Sequence, residues 1–173
     1  MKTHIELGIS KSEYDALIAT AAYLRADEDL WIDEMEVDDG IEEERERPFF
    51  NMLHTCEGYA CGTVACIGGH VSIFQELGRI PEYVEADVRD RADKYVSKKN
   101  FQDYMDSGEV ARERYEAASG LAKLFYPAPI SNWNGLTPVV AADAIDRFLA
   151  TGDPGWVEIA KEKGFVLAPG WNR

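Results

Sequence analysis

Cys61-Gly-Thr-Val-Ala-Cys66-Ile-Gly-Gly-His70-Val-Ser-Ile-Phe-Gln75-Glu-Leu77 is the segment on which the fold turns. Val64, Ile67, Val71 and Phe74 recur at the spacing of one helical stripe, and Cys66, His70, Ile73 and Leu77 form a second stripe beside it. Ala65, Gly69 and Ser72 occupy the opposite side and are small enough to let another backbone approach. A helix that is apolar or small all round belongs in a core. The spacing therefore predicts a buried central helix from Thr63 to Leu77, closed by Gly78 as a left-handed cap. Charge agrees with this: from Gly58 to Gln75 there is no Asp, Glu, Lys or Arg, in a chain where 29% of residues are charged.

The flanking sequence also reads as helical. Ser10-Lys-Ser-Glu13 is a capping box, and Tyr14, Leu17, Ile18, Ala21 and Leu24 behind it predict a helix from Lys11 to Arg25. After Pro81 a surface helix extends to about Val96, with Val84, Val88, Ala92 and Tyr95 inward, followed by a polar connection from Lys98 to Ser107. A further helix over Glu109–Ala118 breaks at Ser119-Gly120 and resumes for a short turn through Phe125. Thr137-Pro138 is an N-cap followed by the favoured first-turn proline, and Ala141, Ala144, Ile145, Phe148 and Leu149 continue it until Gly152. A last short helix follows Asp153-Pro154, with Trp156, Ile159 and Ala160 inward and Gly164 at its end. Only Phe165–Leu167 and the first nine residues suit strands. The expectation is one all-α domain over residues 1–173, about six helices around the central one, with residues 27–47 as an acidic surface excursion.

That excursion dominates the electrostatics. Asp27 to Arg47 holds twelve acids and two arginines, so it carries −10 of a net −14. Such a balance excludes direct nucleic-acid binding, which needs clustered Lys and Arg, and suits a basic protein surface as partner. Leu30, Trp31, Ile32, Met35, Val37 and Ile41 punctuate the segment, which is more apolar than a purely solvating tail. A calcium loop ending at Gly40 fails, because Met35 and Val37 stand where oxygen ligands belong. The uncharged stretch 58–75 has the length of a membrane span but too many polar residues and glycines to be one. With no secretory leader opening the chain and an odd number of cysteines, the expected setting is cytoplasmic.

All three cysteines and two of the three histidines lie between His54 and His70. Four readings stand. The thiols are small core fillers. Or Cys66 and His70, one turn apart, bind zinc with Cys61 or Cys56 and His54, although no Cys-x-x-Cys knuckle is present. Or Cys61, just ahead of a helix N-terminus, is a nucleophile. Or Cys61 and Cys66 form a disulfide. No catalytic residue is assigned and no cofactor is expected. The loop Ser131-Asn-Trp-Asn-Gly135 reads as a turn with its Trp packed down.

Cys61-Gly62-Thr63-Val64-Ala65-Cys66-Ile67-Gly68-Gly69-His70, with Leu124-Phe125 and Phe148-Leu149-Ala150-Thr151-Gly152 downstream, resembles a group of small uncharacterised bacterial and phage proteins. Their pattern is Cys-Gly-Thr, two residues, then Cys-(Ile/Leu)-Ala-Gly-Trp. Here Gly68 replaces the usual Ala and His70 replaces the Trp, which marks position 70 as a packing position. The resemblance implies a helical fold and a phage or bacterial context. Joined to the charge distribution, it leads to a non-enzymatic protein that acts by protein–protein contact and inhibits a nucleic-acid-binding host or defence factor. The contact residues are Trp31, Asp33, Glu34, Glu36, Asp38, Asp39, Glu42, Glu43 and Glu44. The alternative is a small enzyme or zinc-binding domain built on Cys61, Cys66, His70 and His54.

Overall fold

A computed structural model describes residues 1–26, 30, 49–52, 56–59, 62–81, 84–99, 108–133 and 135–171. In chain order these form α1 (Lys11–Ala26), β1 (Phe49–Phe50), β2 (Cys56–Tyr59), β3 (Gly62–Ala65), α2 (Ile67–Leu77), α3 (Ala86–Lys99), α4 (Gly108–Ala117), α5 (Gly120–Phe125), α6 (Pro138–Thr151) and α7 (Trp156–Lys163). The architecture is all-α in class, with helices packed on one another and one small sheet at the entrance to α2.

Local chemistry sets most helix ends. At α1 the capping box is formed in both directions: Ser10 Oγ accepts the Glu13 amide at 3.1 Å, and Glu13 Oε2 accepts the Ser10 amide at 2.8 Å. Thr137 caps α6 with Pro138 in its first turn, and Ser119 caps α5 by accepting from the Ala122 amide. Gly78, Gly152 and Gly164 close α2, α6 and α7 in the left-handed conformation, at φ of 68°, 90° and 80°.

The sheet corrects the expected start of the central helix. β3 pairs parallel with β1 (Phe49↔Val64, Phe50↔Ala65) and antiparallel with β2 (Cys56↔Ala65 to Tyr59↔Gly62). Thr63 and Val64 are β-branched, and with a partner strand on each side an extended backbone satisfies more hydrogen bonds than a helix start would. The helix begins at Ile67 rather than Thr63, after Cys66 as an extended N-cap (φ −78°, ψ −177°). The expected strands fare differently. The first nine residues form turns, and Leu167 makes a single antiparallel bridge with Ile130. Helix α3 is displaced towards the C-terminus, from Ala86 to Lys99, and so takes in the start of the expected polar connection.

Every residue of α2 from Ile67 to Ile73 is buried. It packs against α1 on one side and α3 on another, and α1 packs in turn against α6. The core is therefore shared: α6 buries Val140, Ala141, Ala144, Ile145, Phe148 and Leu149. The N-terminal segment and α1 are tied to α6 as well, since the Lys2 amide donates to Leu149 O at 2.8 Å and Arg25 pairs with Asp143 at 3.2 Å and Asp146 at 2.6 Å. Buried Glu13 links α1 to α3, accepting from Tyr95 Oη at 3.0 Å and Lys99 Nζ at 3.1 Å. Burial would raise its pKa, but the hydrogen bonds from Ser10, Lys99 and Tyr95 outweigh that and hold it below the ordinary carboxylate value. Where α5 starts against the end of α6, Gly120 leaves no room for a side chain: a Cβ there would fall 1.9 Å from Gly152 O. Among the described residues no helix is long and apolar enough to cross a membrane.

Candidate functional site

The cysteine–histidine region takes its geometry from the turn between β3 and α2. At Cys66 the chain leaves the sheet, and its carbonyl oxygen accepts both the His70 amide and His70 Nδ1, each at 3.0 Å. This assigns the neutral Nδ1–H tautomer and leaves the Nε2 lone pair facing inward, without a hydrogen-bond partner among the described residues. The ring is fully buried, with centroids 5.5 Å from Tyr23 and 6.0 Å from Phe50. Position 70 is thus an aromatic packing position between α1 and β1.

Burial decides the chemistry of both groups. It pushes the His70 pKa down to about 4, although hydrogen bonds to the Cys66 and Ala65 backbone favour the charged form. Burial likewise pushes the Cys66 thiol up, although nearby backbone amides stabilise the thiolate. A neutral imidazole and a protonated thiol, both sealed from solvent, are neither general acid nor nucleophile near pH 7. Of the zinc candidates, the structure brings together Cys66 and His70, with the Cys66 carbonyl bonded to the His70 ring. Cys61 and His54 lie outside the described residues. The sheet register sets Cys56 opposite Ala65, one residue from Cys66 in the chain. Among the described residues no group of three or more His, Cys, Asp or Glu is arranged to hold a metal.

Two consequences can be measured. A depressed histidine pKa means that the unfolded chain binds a proton first. The stabilisation is then complete above pH 6.5 and lost as pH falls towards about 4. This amounts to roughly 3 kcal/mol across that window. Urea midpoints of the wild type should drop more steeply between pH 7 and 4 than those of His70→Phe, and parallel curves would remove His70 as the cause. The second concerns a close approach at Gly68. A Cβ on Gly68 would lie 2.6 Å from Val96 Cγ2 and 3.2 Å from Phe125 Cδ2. Gly68→Ala should cost about 1–3 kcal/mol by overpacking, and less in a Val96→Ala background. Equal costs in both backgrounds would mean that Val96 is not the obstruction.

The acidic contact residues Trp31, Asp33, Glu34, Glu36, Asp38, Asp39, Glu42, Glu43 and Glu44 lie outside the described residues. Leu30, within the expected acidic excursion, is itself described and is buried in the main core at 4% exposure. Trp133 in the 131–135 loop is packed down, its indole N–H donating to Ile130 O at 2.8 Å and its ring meeting Tyr126 edge-on.

One feature has no signature in any single segment. A cavity of about 530 Å³ opens between α4, α5, α6 and α7, with Arg112, Tyr115, Lys123, Arg147, Trp156 and Trp171 among its walls. These residues come from positions up to 59 apart, so no local pattern could announce them.

Comparison of the chain with protein-family models, with curated proteins and with solved structures returned no match in any of the three.

Proposed function

We propose that this chain is a non-enzymatic binding protein that engages a basic protein surface through the segment 27–47. The observation that carries the reading is the charge distribution: twelve acids and two arginines in one stretch, interleaved with Trp31, Ile32, Met35 and Ile41. Carboxylates at that density imitate a phosphate array, and the apolar residues supply the anchors on which interface energy concentrates. The fitting partner is a nucleic-acid-binding host or defence factor, blocked by a protein of phage or bacterial origin. Electrostatic complementarity would then set the association rate and specificity more than the raw affinity.

Neutralising Asp33, Glu34, Glu36, Asp38, Asp39, Glu42, Glu43 and Glu44 to Asn or Gln should abolish partner capture while leaving the helical circular dichroism intact. Capture by the wild type should also weaken as salt rises, since exposed charges are screened beyond about 8 Å at physiological ionic strength. A partner held equally well at high salt, and by the neutralised chain, would reduce the segment to a solubility feature.

One observation favours the alternative of a zinc site around positions 54–70. His70 holds its Nδ1–H on a carbonyl and has no Nε2 partner among the described residues, the arrangement of metal-bound histidines. Stoichiometric zinc in protein purified without a metal column would carry that reading instead.

A further inference from the structure

We propose that the cavity between α4, α5, α6 and α7 binds a small organic anion carrying an aromatic ring. Three cations reach it from three helices: Arg112 from α4, Lys123 from α5 and Arg147 from α6. Its volume falls within the roughly 300–1,000 Å³ of small-molecule sites.

Lys123 is the group that calls for an anion. Its side chain is only 15% exposed, yet its ammonium carries three N–H donors. What it meets is Asp153 Oδ2 at 3.5 Å and the Tyr115 ring, 5.7 Å to the centroid. The Asp153 carboxylate is 57% exposed and therefore weakly coupled at that distance. A largely desolvated ammonium gains more from a carboxylate at about 2.8 Å than from this long contact. Each cation already has a carboxylate beside it, and the Lys123 contact is the loosest: Glu116 accepts from Arg112 at 2.8 Å, Glu162 accepts from Arg147, and Asp153, Glu116 and Glu158 are all exposed.

The remaining walls choose the rest of the ligand. Arg112 donates to Gly170 O at 2.7 Å and lies over the Trp171 ring at 5.1 Å, and Tyr115 meets Trp171 edge-on at 5.1 Å. Guanidinium and rings are thus held in place before any ligand arrives, which lowers the cost of ordering them on binding. The first turn of α7, behind a Gly155 N-cap that offers no side chain, lines the same space and adds its positive dipole end.

Calorimetric titration of the full chain with 2-naphthoate, the neutral 2-naphthylmethanol and inorganic phosphate tests this. One saturable site is expected for 2-naphthoate, with both other probes at least about tenfold weaker. Lys123→Met should weaken 2-naphthoate by about tenfold or more, the scale of a charge-assisted hydrogen bond. Asp153→Asn should tighten it, because the amide oxygen still accepts the Gly155 N–H while the competing charge is gone. No saturable signal up to about 10 mM would overturn the proposal. So would equal binding of the alcohol or of phosphate, an unchanged affinity in folded Lys123→Met, or a weaker affinity in Asp153→Asn. The last comparison stands even if the lysine variant does not fold.

Discussion

Replacing Gly120 with alanine is expected to destabilise the fold by about 3 kcal/mol or more, a large loss for one methyl group. The obstruction is mainly backbone. The new Cβ would fall 1.9 Å from Gly152 O, 3.0 Å from Gly152 C and 2.8 Å from Phe148 Cε2. A side chain can rotate away, but Gly152 is the C-cap of α6 and its amide is bonded to Phe148 O at 2.8 Å. Relief therefore requires α5 and α6 to separate, which would open the core around Phe148. Gly164→Ala is the informative control: its φ of 80° is strained for alanine but nothing lies within 4 Å of the new Cβ. That strain alone costs roughly 1–2 kcal/mol. Urea unfolding of both variants reads the difference, and equal losses would show that α5 and α6 do not approach as closely as described.

Trp156→Ala should cost about 3–5 kcal/mol, at the upper end of large-to-small core substitutions. Trp156 is 1% exposed, and its indole N–H donates to Lys123 O at 2.8 Å across the α5–α7 contact. Alanine would leave a cavity and reduce the Lys123 carbonyl to its one remaining donor, the Tyr126 amide at 3.3 Å. Trp156→Phe keeps much of the volume and removes the donor, so it isolates the hydrogen-bond share at about 0.5–1.5 kcal/mol. A loss below about 1 kcal/mol for Trp156→Ala would mean that α7 docks without its indole.

The residues that could be read from sequence act locally. The reciprocal Ser10–Glu13 bonds, Thr137 ahead of Pro138, and the terminal glycines at 78, 152 and 164 each settle a helix end within four residues. What escaped depends on distant partners. Val64 fits the helical stripe of Ile67 and Val71 equally well, and a four-residue segment is too short for periodicity to arbitrate. Its extended state is decided by Phe49 and Glu57 on the neighbouring strands. Nothing local marks Gly68 as a point of close approach, which follows from the positions of Val96 and Phe125. Cys66 and His70 were visible as a pair, but the contact between them uses a backbone carbonyl, which no side-chain motif encodes. The cavity walls follow from how four helices meet.

The pairing of α1 with α6 bears on how the chain is made. Arg25 and Asp143 are 118 residues apart, and the apolar stripe of Leu17, Ala21 and Leu24 is covered in part by a helix that begins at Pro138. At translation rates of 5–20 residues per second, α1 leaves the ribosome on the order of ten seconds before its partner. Over that interval its apolar face is without the cover that α6 provides. Nascent chains halted before residue 138 should accordingly be protease-sensitive and chaperone-bound, acquiring resistance in one step once α6 emerges.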